Sequence, residues 1–206
     1  MADLLICAAL GIEARAVRRG LATLSDRVKV VRTGPGPGRA ARAAAVLPEY
    51  GGALAVVGFG GAVDDGLRPG DVLVASEVRF GDQAFPCPSA RLLAGELTRA
   101  GLPARIGPLA TCDHVVTGAE RRRLAAEGVR GVDMETGPLA RAAAGRPLAA
   151  VRVIVDTPGA PLLSPATVRG GTLARRNLQR VGPVLARWAA AIEETIRFSL
   201  PKEVLS

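Results

Sequence analysis

Aromatic side chains are scarce in this chain: four Phe, one Tyr and one Trp make up 3% of its 206 residues. Proteins that hold single-stranded nucleic acid stack bases on aromatic platforms, so the scarcity argues against that class despite a net charge of +8 and a pI near 10.8. The basic residues are almost all Arg and are scattered through every predicted helix, without the clustered footprint that nucleic acid demands. His114 is the only histidine, which excludes a multi-histidine zinc site, and no bound metal is expected. Cys7, Cys87 and Cys112 are odd in number and lack CxxC spacing, so neither a disulfide framework nor a cysteine metal site is expected. No apolar run is long enough to span a bilayer. The start, Met1-Ala2-Asp3, lacks the basic segment of a signal peptide, and Leu4 to Leu10 reads as a buried strand. A reduced, cytoplasmic protein is the expectation.

Aliphatic residues supply what the aromatics do not. Hydrophobic residues reach 49%, so the core is expected to consist of Ala, Val, Leu and Ile, in one domain spanning residues 1–206. Strands are predicted at Leu4–Ala9, Val28–Arg32, Ala53–Gly58, Val72–Val78, Gly131–Met134 and Ala149–Asp156. Helices are predicted at Glu13–Leu24, Gly38–Leu47, Ser89–Ala100, Ala119–Ala126, Glu135–Ala144 and Ala174–Phe198. The strand runs are continuously apolar, as for strands covered on both faces. Their alternation with helices predicts an α/β fold: a three-layer αβα sandwich around a central mixed, largely parallel sheet. Leu185, Trp188, Ile192 and Ile196 recur at helical spacing, which predicts a core-packing helix in preference to a membrane-surface one.

Three acids stand at the carboxyl ends of strand-like runs: Glu13 after the first, Glu135 in Val132-Asp133-Met134-Glu135-Thr136, and Asp156 closing Val151-Arg152-Val153-Ile154-Val155-Asp156. In α/β proteins that edge is where ligands bind. Two glycine-rich segments, Gly34-Pro35-Gly36-Pro37-Gly38 and Gly58-Phe59-Gly60-Gly61, each follow a strand and let the backbone approach a ligand closely. Neither is a dinucleotide fingerprint, because the third glycine position holds Arg39 in one and Val63 in the other. Taken alone, both read as turns. Each acid also has a bland reading: Glu13 as an exposed first-turn acid, Glu135 as a helix N-terminal acid favoured by the dipole, and Asp156 as a cap on the turn into Pro158.

Read in order, these segments resemble the nucleoside phosphorylase superfamily on its methylthioadenosine/S-adenosylhomocysteine nucleosidase branch. Ala9-Leu10-Gly11-Ile12-Glu13-Ala14 is similar to that branch's first loop, and Thr33 to Ala41 to its glycine-rich turn into a helix. Gly58-Phe59-Gly60-Gly61 with Leu67-Arg68-Pro69-Gly70-Asp71-Val72 resembles its glycine turn and following strand entry. Thr111 to Val116 falls where the family lines the purine, Val132 to Glu135 resembles the ribose-binding motif, and Arg152 to Asp156 resembles the segment that ends on the catalytic acid. The Cys-Ala-Leu-Gly-Ile-Glu start, Asp113-His114 and Val155-Asp156-Thr157-Pro158-Gly159 are most similar to hopanoid-associated phosphorylases, proposed to remove adenine from adenosylhopane.

The resemblance implies a purine nucleosidase that cleaves the N-glycosidic bond of a 5′-substituted adenosine, with the following roles. Asp156 is the acid facing purine N7, which requires burial to raise its pKa. Glu135 accepts from the 2′- and 3′-hydroxyls with Met134 against the ribose. Glu13 takes a proton from water, oriented by Arg152. Val115 and Val116 wall the purine where the family often has an aromatic, and Phe59, beside Gly60, replaces a small residue near the water. His114 reads as a loop residue. A carboxylate in the first loop repels phosphate, which favours hydrolysis. Arg39 and Arg42 beyond the turn keep phosphorolysis, with phosphate as co-substrate, as the alternative; no other cofactor is implied. A non-catalytic nucleoside- or lipid-binding protein on the same scaffold is the reading from another class. The implied partners are the small-molecule nucleoside and a second copy of the chain as homodimer, with transient membrane-surface contact if the substrate carries a lipid.

Overall fold

The computed structural model describes residues 4–21, 27–47, 52–159 and 165–199, with side chains of the last helix described from 172 to 198. Among the described residues, eight strands and six helices follow in the order β1 (Leu4–Ala8), α1 (Gly11–Gly20), β2 (Val28–Arg32), α2 (Pro37–Ala44), β3 (Ala53–Ala62), β4 (Val72–Phe80), β5 (Gln83–Pro86), α3 (Ala90–Arg99), β6 (Ala104–Thr111), α4 (Gly118–Ala126), β7 (Gly131–Asp133), α5 (Thr136–Arg141), β8 (Leu148–Asp156) and α6 (Pro165–Ser199). The central sheet is mixed and flanked by helices, as the alternating pattern predicts. Strands β2, β1 and β3 run parallel, and β8 joins β3 in parallel. β8 then pairs antiparallel with β4, β4 parallel with β6, β6 parallel with β7, and β7 antiparallel with β3. The last pairing closes a five-stranded ring of β3, β8, β4, β6 and β7, which a simple sandwich would not contain.

Two strands escape the hydrophobic pattern. β5 is a short, largely exposed edge paired antiparallel with β4. β6 carries Gly107 and Pro108 inside the ring, where a proline ordinarily argues against a strand. The β4–β6 register absorbs it: Ala75 faces Gly107 and Val78 faces Leu109, so β4 bulges by a residue opposite Pro108. The segment Gly58-Phe59-Gly60-Gly61, read from sequence as a turn, instead lies inside β3. By contrast, Gly34-Pro35-Gly36-Pro37 is a true turn, with φ of +87° at Gly34 and +85° at Gly36, conformations that glycine adopts without steric cost.

β1 and β3 are buried on both faces and supply much of an aliphatic core that continues through β4 and β8. α6 lays Leu178, Val181, Leu185 and Trp188 into this core, and the Trp188 indole donates to Ser89 Oγ at 3.0 Å. Ile196, on the same stripe, is exposed, so the core-packing face ends at Ile192, about two turns before the helix does. The helix predicted over Glu13–Leu24 ends at Gly20; Leu24 lies outside the described residues. Gly20 sits where α1 meets α6, and a Cβ built there would stand 1.8 Å from the Gln179 carbonyl oxygen. Gly20→Ala therefore forces the two helices apart and is expected to cost roughly 1–3 kcal/mol in urea denaturation. Gly95→Ala, in the open middle of α3, is expected to stabilise by up to about 1 kcal/mol.

Candidate active site

Strand register brings the separated acids together. In the β3–β8 ladder Gly58 faces Arg152 and, after a one-residue shift, Gly61 faces Asp156; in β6–β7, Thr111 faces Asp133. Arg152 is 2% exposed and its guanidinium must find a counter-charge. It finds Asp133: Nε donates to Asp133 Oδ2 at 2.7 Å, and Nη2 donates to the same oxygen and to Thr136 Oγ1. Asp133 Oδ1 accepts from Thr111 Oγ1 at 2.6 Å and from the Thr136 N–H at 3.3 Å, while the Thr136 hydroxyl donates to Oδ2. Thr111 Oγ1 in turn accepts the Gly137 N–H at 2.9 Å. The result is a buried, hydrogen-bonded ion pair that anchors β6, β7, β8 and the start of α5 to one another.

Glu13 stands beside this network. It is 3% exposed, so the exposed first-turn acid of the bland reading does not occur. Oε2 accepts the Leu10 N–H and Oε1 the Phe59 N–H, both at 2.7 Å. A Cβ on Gly58 would lie 2.6 Å from Arg152 Nη1 and 2.7 Å from Glu13 Oε1, which explains why glycine occupies that strand position. Burial pushes the Glu13 carboxyl above the ordinary carboxylate range. The N–H bonds from Leu10 and Phe59 and the field of Arg152 oppose that push, and nearby Glu135 adds to it. Glu135 begins α5 without capping it through its side chain; Oε1 instead accepts the Gly36 N–H at 2.8 Å. The glycine-rich turn before α2 thus reaches across to fix Glu135.

The third acid has a partner that the sequence did not reveal. Asp156 is buried, but it is ion-paired: Arg121 Nη2 donates to its Oδ2, and Arg121 Nε donates to the Val116 carbonyl at 3.0 Å. Arg121 was not singled out from the sequence, where it opens the run Arg121-Arg122-Arg123 and carries no sign that it is buried. His114 also holds more than a loop position. Its ring bridges Asp113 (Nδ1, 2.6 Å) and Glu120 (Nε2, 2.8 Å), and these carboxylates raise its pKa.

These groups surround one cavity of about 240 Å³. Of the residues marked from sequence, Glu13, Phe59, Gly60, Val115, Val116, Met134, Glu135 and Asp156 line it. Arg152 lies behind the wall, bonded to Asp133. Val116 is buried and Val115 is exposed, so the two share the wall unequally. The Phe59 ring packs against the main core while its backbone serves Glu13. Arg39 and Arg42 are not among the lining residues. Among the described residues no group of His, Cys, Asp or Glu is placed to hold a metal ion, and no helix is long and apolar enough to cross a membrane. Removing one partner of the central ion pair is the sharpest test of this architecture. Asp133→Ala leaves Arg152 charged and buried, and is expected to lower unfolding free energy by about 3–5 kcal/mol in denaturant titration.

Comparison with known proteins places this geometry. Among curated protein sequences none matches the chain. Solved structures share its fold. A protein from Borrelia burgdorferi described as a 5′-methylthioadenosine/S-adenosylhomocysteine nucleosidase bound to adenine is 18% identical, covering 90% of this chain and 99% of its own at a TM-score of 0.74. An S-adenosylhomocysteine nucleosidase from Streptococcus pyogenes in complex with 5-methylthiotubericidin is 23% identical, covering 88% and 93% at 0.70. A futalosine hydrolase mutant from Helicobacter pylori is 15% identical, covering 90% and 97% at 0.74. The sequence model of the phosphorylase superfamily matches residues 14–192, and the chain belongs to that family.

Proposed function

We propose that the protein is a purine nucleosidase that hydrolyses the N-glycosidic bond of an adenosine with an apolar 5′ substituent. The observation that carries this reading is the gathering of Glu13, Glu135 and Asp156 around a single cavity. Breaking the C1′–N9 bond builds positive charge on the sugar and negative charge on the departing base. Glu135, held by the Gly36 N–H, keeps a carboxylate oxygen for the ribose hydroxyls, with Met134 beside the sugar. Glu13 has an oxygen bound by each of two backbone N–H groups and a raised pKa, which suits a base that takes a proton from water. Arg152 contributes as the buried cation between Asp133 and Glu13. Asp156 stands at the base end, where it can accept from an exocyclic amine as the carboxylate or hand over a proton as the acid.

Water is favoured over phosphate because Glu13 and Glu135 both present negative charge to the cavity, while Arg39 and Arg42 do not line it. Leu10 and Val115 line the cavity and are exposed, leaving an apolar mouth for the 5′ group. This fits a methylthio group or the longer hydrocarbon of adenosylhopane, and a second copy of the chain, as a homodimer, would close the same mouth. The relatives described with adenine or a nucleoside analogue support the substrate class. We place the reaction in nucleoside or hopanoid metabolism within the cytoplasm.

Adenine release from methylthioadenosine and adenosylhopane, assayed with and without phosphate, tests the reading. Release independent of phosphate is expected; a strict phosphate requirement overturns hydrolysis, and no release from any adenosine derivative overturns the substrate class. Because Glu13 titrates above its ordinary value of 4.5, it is the active carboxylate only above that raised pKa. The rate constant kcat/KM is therefore expected to fall as pH drops through a midpoint above 4.5. Glu13→Gln is expected to lower kcat by about 10²–10⁴ and to abolish this limb. A limb that survives the substitution assigns it to another group.

A further inference from the structure

The positive charge of the chain is unevenly spread. Between Gly11 and Arg32 the sequence carries six basic residues and two acids, Glu13 and Asp26. Glu13 is buried and Asp26 lies outside the described residues, so the described outer surface of α1 and β2 is basic. Ile12, Arg15 and Arg19 share one face of α1, and with Ala16 and Arg175 of α6 they line a shallow hollow of about 150 Å³. Arg32, at the end of the edge strand β2, joins them: a Cβ on Gly11 would lie 3.6 Å from Arg32 Nη1 and 3.8 Å from Arg15 Nη2. All four arginines are exposed, and among the described residues no acid pairs with any of them. Like charges gathered without a counter-charge make this face a partner for an anionic surface.

Apolar side chains within the face decide which anionic surface fits. Ile12 is 44% exposed among the guanidinium groups, and Leu10, 37% exposed, stands one residue before Gly11. Nucleic acid gives such aliphatic groups no counterpart, and no aromatic on this face is available for stacking bases. A bilayer surface matches both, with phosphates for the guanidinium groups and acyl chains for the aliphatic ones. We propose that this face docks on an anionic phospholipid bilayer. Ile12 enters the boundary between headgroups and acyl chains. Arg15, Arg19, Arg32 and Arg175 reach the phosphates around it while their stems lie along the apolar surface. Leu10 also lines the main cavity, so docking brings the cavity mouth beside the bilayer. Resting on the nucleosidase reading, a substrate with a long apolar 5′ group then enters from the membrane, and only its nucleoside end leaves the lipid.

Co-sedimentation of the full chain with vesicles tests the docking face, using phosphatidylcholine alone against phosphatidylcholine mixed with phosphatidylglycerol. Binding to the mixed vesicles only is expected, weakening as salt screens the charges. An arginine near an anionic surface contributes about 5-fold. The triple variant Arg15→Gln, Arg19→Gln, Arg175→Gln is therefore expected to bind the mixed vesicles roughly 100-fold more weakly, and Ile12→Asn about 3-fold or more weakly. Each variant is first checked for folding by thermal denaturation. Should the triple variant fail to fold, Arg19→Gln alone, at an exposed helix position, is expected to lose about 5-fold. Equal binding to neutral vesicles, or binding undiminished in the folded variants, overturns the proposal. Salt-sensitive binding to duplex DNA that exceeds binding to the mixed vesicles overturns it in favour of nucleic acid. Adenine release from methylthioadenosine, whose short 5′ group needs no membrane, is expected to be unchanged in these variants, because none of the altered residues lines the main cavity. A protein that releases adenine but binds no vesicles overturns this inference alone. One that binds mixed vesicles but releases no adenine overturns the nucleosidase reading and leaves the docking face standing.

Discussion

The buried ion pair between Asp133 and Arg152 is the constraint on which the site depends. A guanidinium with 2% exposure is tolerable only when its charge is matched and its N–H groups are bonded. Asp133 matches it, and Thr111, Thr136 and the Gly137 N–H complete the bonding. Because Asp133 ends β7 and Arg152 lies on β8, the pair locks two strands that do not touch in the ladder but both pair with β3. The cavity-lining residues stand close by: Met134 and Glu135 follow Asp133, and Asp156 lies two pleat repeats beyond Arg152 on β8. The positive field of Arg152 also reaches Glu13 and Glu135, holding carboxylates close that would otherwise repel.

Glycine does the complementary work of leaving room. β3 carries glycine at 58, 60 and 61 within the ring. At Gly58 the absent side chain admits Glu13 and Arg152, and at Gly61 it admits Asp156 and Arg121. The strand is thus a spine with its side chains removed where charges must meet. Its aliphatic members, from Ala53 to Val57 and Ala62, stay in the core, so the spine remains anchored while Phe59, Gly60 and Gly61 line the cavity. The far end of β3 pairs with β7 and meets α4, with Gly61 beside Arg121.

The fold was legible where burial is continuous. β1 and the first halves of β3 and β4 are uninterrupted aliphatic runs, β8 is broken only by Arg152 before its closing acid, and their strand character follows from composition and order. β6 was not legible, because Gly107 and Pro108 break its pattern and only the bulge in β4 makes room for them. Glu13, Glu135 and Asp156 were legible as strand-end acids and as parts of ordered motifs. Asp133 lay inside one of those motifs, and a buried-strand arginine such as Arg152 demands some acid, but which acid depends on register across β7 and β8. Arg121 left no trace in the sequence, since one arginine of three on a helix becomes buried only when the helix docks. The ion-pair partner of Asp156 was hidden for that reason: it comes from a helix 35 residues away.

The proposed water attack at the anomeric carbon would unite these features, with Glu13 to receive a proton, Glu135 to hold the sugar and Asp156 at the base. The most direct measurement is the fate of oxygen-18 from labelled water during cleavage of methylthioadenosine in phosphate-free buffer, followed by mass spectrometry within the first turnovers. The account predicts one labelled oxygen at the anomeric position of the sugar product, with adenine released in equal amount. Sugar product without label, or turnover that begins only when phosphate is added and yields a sugar phosphate, would contradict it.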